Sequence, residues 1–181
     1  MAAPAPPSGL RYALRALSTR DYAIFWTGAL VSNSGTWLQG IAVPYVLFQL
    51  TGSATWVGLA TFATFLPIML LAPFGGVLAD RYSRKRVLLA GQSLAAVFAI
   101  VLWAVWSAGL ATPGWILVVT ALGGMAAGLT VPAWQAFVPT LVEPEDLPSA
   151  ITLNSVQFNA SRANGPRFGG IVLANYGPAL A

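Results

Sequence analysis

The 181-residue chain has no cysteine and no histidine. Disulfides, thiolate nucleophiles, His-based acid–base chemistry and Cys/His metal sites are thereby excluded within it. Charge is nearly as scarce, at 8% of residues, against roughly 25% in a soluble domain. Tyr22 to Ala79 carries no charged residue, and neither does Val87 to Val142. Uncharged stretches of that length exclude the surface of a soluble domain and read as pairs of membrane spans. What is there agrees: 57% of residues are hydrophobic and the mean hydropathy is +0.72. The fold class expected is an all-α membrane protein.

The net charge of +4 could suggest a nucleic-acid partner. It does not here, because most of the basic residues sit at the ends of apolar spans rather than in a groove for phosphates. The expected partners are the lipid bilayer and a small molecule, with no nucleic acid. Eight of the nine basic residues are Arg, which together with the high Ala content points to a GC-rich bacterial genome.

Five candidate spans follow from apolar length and punctuation, at about 22–50, 54–79, 84–107, 113–138 and 147–175. Residues 1–17 are expected to be a disordered cytoplasmic tail, since Met1 to Gly9 is Pro/Ala-rich with no apolar core and is not a secretory signal. Residues 18–181 form the bundle. Ser18-Thr19-Arg20-Asp21 has capping-box spacing. Ser83 is an expected N-cap, and Thr112 with Pro113 marks another helix start.

Orientation comes from the basic residues. Arg11, Arg15 and Arg20 precede the first span, and Arg81, Arg84, Lys85 and Arg86 lie between the second and third. The turns at Thr51–Ser53 and Ser107–Thr112 have none. The positive-inside rule then places the N-terminus and the charged loop in the cytoplasm of a multi-pass cell-membrane protein. Gly124-x-x-x-Gly128 and Gly165-x-x-x-Gly169 would let helices approach closely. Pro44, Pro67, Pro73, Pro132 and Pro166 should kink or locally open their helices.

Most of the organisation turns on the island Gly76-Val77-Leu78-Ala79-Asp80-Arg81-Tyr82-Ser83-Arg84-Lys85-Arg86-Val87-Leu88. It resembles the loop signature between helices 2 and 3 of the major facilitator superfamily. Gly76, Leu78, Ala79, Asp80, Arg81, Arg84, Lys85 and Leu88 fall in register, while Ser83 stands where glycine is usual. A second stretch, Gly165-Pro166-Arg167-Phe168-Gly169-Gly170, resembles the fifth-helix motif of that superfamily's exporters. Ser161 replaces its upstream glycine and Arg167 an apolar residue. Trp37-Leu38-Gln39, Leu50-Thr51-Gly52-Ser53, Gln92, Pro132-Ala133-Trp134-Gln135-Ala136-Phe137, Leu153-Asn154-Ser155 and Phe158-Asn159 are similar to the enterobactin-exporter-like branch. The arginine-bearing helix 4 motif of many drug exporters is absent.

The resemblance implies one incomplete six-helix half of a two-half transporter. A sixth helix and a C-terminal half of the same transporter are then expected as partners outside this sequence. The implied function is alternating-access export of small amphiphilic or anionic molecules, and these 181 residues alone are not expected to transport. A small non-transporting five-span protein for assembly or sensing is the competing reading. A membrane-embedded enzyme is opposed by the lack of His, Cys and paired acids in the spans.

Three groups of residues are candidates for function. The cations of the loop could be topology anchors, a role that suits Arg84, Lys85 and Arg86 but not Asp80. The resemblance implies instead that Asp80 latches onto a helix N-terminus of the second half, where the dipole favours an acid. On the first span, Ser32, Asn33, Thr36 and Gln39 share an arc of about 120°. On the fifth, Asn154, Gln157, Ser161 and Asn164 share about 80°. In lipid these must face protein or water, so they either bond between helices or line a substrate cavity. Arg162 lies about 22 Å along the fifth span, where an arginine costs roughly 2.5–3.5 kcal/mol. Its expected partner is an anionic substrate, a carboxylate from outside this sequence or backbone carbonyls. Arg167, on another face, can snorkel. No cofactor or metal is expected. Coupling to a proton gradient remains open, but Asp21, Asp80, Glu143, Glu145 and Asp146 all lie near the cytoplasmic boundary.

Overall fold

The computed structural model describes residues 10–176. Six helices follow in order: α1 (Leu10–Ala13), α2 (Arg20–Thr51), α3 (Ala54–Arg81), α4 (Arg84–Ser107), α5 (Pro113–Phe137) and α6 (Leu147–Tyr176). Short 3-10 turns at Arg15–Ser18, Val138–Thr140 and Pro144–Asp146 complete the order, and no strand occurs among the described residues. The five long helices begin and end within two residues of the bounds expected for helical segments.

Local chemistry sets the boundaries. Gly52 ends α2 in the left-handed region, at φ 63°, where a side chain would be strained. Ser53 then caps α3 through the Thr55 N–H, and Thr112 caps α5 through the Trp115 N–H. Two expected caps are not made. The Ser18 hydroxyl instead donates to the Arg15 carbonyl at 2.7 Å inside the 3-10 turn, which takes it out of the capping box. Ser83 stands at the N-cap of α4 with no side-chain cap bond. All five span prolines lie inside helices that run on past them.

Helices α3, α4 and the α5 region are long and apolar enough to cross a membrane, with mean hydropathies of 1.9, 2.1 and 1.9. Their outer faces are bare: Phe62, Phe65, Met69 and Phe74 on α3 and Ile100 and Trp103 on α4 are all exposed. Such a continuous apolar surface suits lipid as its solvent. Helices α2 and α6 are as long, at 32 and 30 residues, but carry more polar groups. They pack on each other, α3 packs along α5, and α4 packs on α5.

Glycine sets the α3–α5 spacing. A Cβ on Gly75 would stand 2.6 Å from the Gly128 carbonyl oxygen, and one on Gly128 would stand 3.0 Å from Ile68 Cα. Gly124 lies against the Thr64 carbonyl in the same way. This is the close backbone approach that small residues permit in lipid, where helix association rests on packing rather than on the hydrophobic effect.

The stretch expected as a tail divides. Met1–Gly9 lies outside the described residues. Leu10–Ser18, by contrast, is helical and docked on the start of α6, with Ala16 fully buried. The Ser149 hydroxyl accepts from the Ala16 N–H at 3.1 Å and donates to the Ala13 carbonyl at 2.9 Å. Arg15 Nε sits 2.7 Å from Asp146 Oδ1, an oxygen otherwise buried without a hydrogen-bond partner. Fixed contacts with α6 therefore replace a free tail over residues 10–17.

Candidate functional site: the charged loop and the α2–α6 seam

In the structure the island straddles two helix ends. Asp80 and Arg81 close the last turn of α3, and Arg84, Lys85 and Arg86 open α4. Leu78 packs beside Ala79, Val87, Leu88 and Ala133, while Gly76 has open space where a side chain would be. Asp80, Arg81, Lys85 and Arg86 are exposed. Arg84 is half-buried and donates from Nη1 to the Ala136 carbonyl at 3.0 Å, in the last turn of α5. It thereby satisfies an end carbonyl that the helix itself leaves unpaired.

Helix electrostatics make the placement informative. An acid at a helix C-terminus and cations at an N-terminus each oppose the macrodipole, by about 0.3–1 kcal/mol. Asp80 is on the wrong end of α3, and Lys85 and Arg86 on the wrong end of α4. Arg84 escapes by reaching to α5. Among the described residues Asp80 has no ion pair. The stability of this bundle therefore gives no reason for an acid at that position.

The second feature is the seam between α2 and α6, which run parallel. From the N-terminal ends of the two helices onward, Tyr22 Oη donates to the Ala150 carbonyl at 2.8 Å and Trp26 Nε1 to the Leu153 carbonyl at 3.0 Å. Asn33 Nδ2 then donates to Gln157 Oε1 at 3.3 Å, and Ser34 and Ser161 hydroxyls meet at 3.4 Å. Further along, Gly165 packs on Trp37, and a Cβ on Gly169 would stand 3.5 Å from Leu38 Cγ. Gly170 faces open space, and Pro166 is half-buried beside the seam.

The structure thus divides the residues for which interhelical bonding and a substrate cavity were both open. Gln157 and Ser161 are each 1% exposed and join Asn33 in bonds between helices. For these three, the seam has taken the polar groups that lipid cannot. Asn154 has a buried Oδ1 with no hydrogen-bond partner. Gln39 is not on the seam at all. It borders a cavity of about 260 Å³ between α2, α4 and α5, walled by Trp103, Trp106 and Trp115. Ser32 turns toward α4, where its hydroxyl donates to Gln92 Oε1 at 3.1 Å.

Arg162, the charged member of this group, is exposed. Its guanidinium carbon lies 5.7 Å from the centre of the Trp37 ring. Phe158 meets the same ring edge-on, with centroids 5.7 Å apart. The role of Trp37 was not legible from residue type. The available signal was the fifth-span spacing Phe158-x-x-x-Arg162, which puts an aromatic and a cation on one stripe.

A bundle of long apolar helices, with a charged loop between α3 and α4 and a polar seam between α2 and α6, is the architecture of an all-α membrane protein. A family model described as transmembrane secretion effector matches residues 12–181. The chain belongs to that family, within the major facilitator superfamily. It is 35% identical over 153 residues to the enterobactin exporter EntS of Shigella dysenteriae serotype 1, a match covering 80% of this chain and 36% of that protein. It is 26% identical over 153 residues to the staphyloferrin A transporter of Staphylococcus aureus, covering 84% of this chain and 38% of that one. The chain therefore spans little more than a third of the length of these curated relatives. No solved structure matches.

Proposed function

We propose that this chain is the N-terminal transmembrane part of a secondary exporter that moves small amphiphilic or anionic molecules by alternating access. The observation that carries this is the family match over residues 12–181, with the signature island seated between α3 and α4. Relatives named as an enterobactin exporter and a staphyloferrin A transporter support export of a small organic molecule.

In this reading all five long helices cross a bacterial inner membrane, with the N-terminus and the island inside. The exposed Asp80 is the latch. Held on the wrong end of α3, it gains a favourable dipole when the N-terminus of another helix meets it on the cytoplasmic side. Closing and releasing that contact accompanies the switch between access states. The transporter acts on its cargo without chemical change. Carboxylates of this chain lie only at the cytoplasmic ends, so a proton-coupling acid within the membrane would come from the rest of the transporter.

The test is efflux from cells that express the full-length transporter carrying this chain, loaded with a panel of dyes and organic anions. Export of at least one compound, reduced about tenfold or more by Asp80→Asn at equal membrane level, is the expected result. A transporter that exports nothing in the panel, or an Asp80→Asn variant as fast as the parent, counts against the reading.

A further inference from the structure

Trp37 sits in a seat built by α6. The glycine at 165 is required there, because a Cβ would strike Trp37 Cβ. The indole can then lie along α6, where Phe158 meets it at 69° and the Arg162 guanidinium covers its face. Phe158 and Arg162 are one helical turn apart, so both reach the same ring. Beneath them the Ser34–Ser161 contact ties the two helices at this level. The indole is half-buried, whereas the guanidinium is exposed.

This cation lies far from both ends of α6. It stands 15 residues from the start of α6 and 14 from its end, or about 21–22 Å from either. In the proposed arrangement, where α6 crosses the bilayer, that is the middle of a hydrocarbon core roughly 30 Å thick, beyond the level of lipid headgroups. Among the described residues it has no ion pair, and the chain's acids are at the cytoplasmic ends. An indole face attracts a cation, but by less than burying one in the membrane costs. A guanidinium held there needs an anion, and its planar fork fits a carboxylate through two parallel bonds. The Trp37 and Phe158 rings beside it supply surface for an aromatic body.

We propose that Arg162, Trp37 and Phe158 form a subsite for an aromatic carboxylate, with Arg162 contacting the anion and Trp37 acting as the specificity-determining platform. The proposal rests on the exporter reading and names the class of cargo for it. The Gly165 of the exporter motif gains a local purpose, which is to seat the platform.

The experiment is equilibrium binding of radiolabelled 2-naphthoate, 2-naphthamide and cyclohexanecarboxylate to the chain in lipid nanodiscs. Circular dichroism is the check that each variant is folded. Wild type is expected to bind naphthoate at least tenfold more tightly than the neutral amide. Arg162→Gln should erase that preference, and Arg162→Lys should keep part of it. Trp37→Leu should instead erase the preference for naphthoate over cyclohexanecarboxylate. Naphthoate binding unchanged by Arg162→Gln, or absent from wild type, overturns the subsite. Efflux by the full-length transporter separates the two readings. If cargo leaves the cell and Arg162→Gln exports every compound as the parent does, the guanidinium is paired with an acid elsewhere in the transporter; the subsite falls and the exporter stands. If the parent exports nothing, the exporter reading falls.

Discussion

Ser149→Ala is the sharpest test of how the N-terminal segment is held. The hydroxyl of Ser149 accepts one hydrogen bond and donates another across 133 and 136 residues of sequence. The residue is 1% exposed and its partner Ala16 is fully buried. Alanine leaves a buried N–H and a half-buried carbonyl without partners, and each such loss costs about 1–3 kcal/mol. Some of that is recovered when water reaches the carbonyl, so a net loss of about 2 kcal/mol is expected, equivalent to roughly thirtyfold in local opening. Hydrogen exchange read by mass spectrometry in nanodiscs measures it directly. Peptides covering residues 10–22 should exchange faster by that factor, and peptides from α3 and α5 should not change. Arg15→Ala should do the same more weakly, by about 1 kcal/mol, because its side chain is half-exposed and solvent screens the pair. If residues 10–22 of Ser149→Ala exchange at the wild-type rate, the segment is not held by this clasp and the argument fails.

Two further outcomes follow from the packing. Gly128→Leu places a branched side chain where even a Cβ would lie 3.0–3.1 Å from Ile68 and Leu71, so the α3–α5 pair must separate; a loss of at least 1–3 kcal/mol is expected, seen as a lower melting temperature in detergent. The contrary result is an unchanged midpoint. Arg84→Ala should destabilise the chain by about 1–2 kcal/mol through its lost bond to the end of α5, whereas Arg86→Ala should stay within about 0.5 kcal/mol; equal effects would mean that the α5 contact carries no weight.

Helix boundaries were legible because their signals are local. Thr51-Gly52-Ser53 and Thr112-Pro113 act within a turn of the chain, and α4 begins and ends at the expected residues 84 and 107. The glycine pair at 124 and 128 likewise marked a contact face without naming its partner, α3. Partners across the bundle were not legible. Arg15 and Asp146 are opposite charges that the topology places on one face, yet nothing near either residue specifies their pairing. The polar residues of α2 show the same limit. An arc on a helical wheel grouped Asn33 with Gln39, but the seam with α6 claims the first and the cavity beside α4 the second. A wheel records direction from one axis, and two neighbouring helices can divide the same arc. Arg162 stood out because a charge deep in a span is costly wherever it points. Its ring platform needed coordinates.

The central claim is a bundle whose charged loop lies inside and whose short turns lie outside. The absence of cysteine allows a clean measurement, with single Ser53→Cys, Ser83→Cys and Ser107→Cys variants labelled by a membrane-impermeant maleimide in spheroplasts. The account predicts labelling at positions 53 and 107 in intact spheroplasts, and at 83 only after lysis. Labelling at 83 in intact spheroplasts, with 53 and 107 protected, would contradict it.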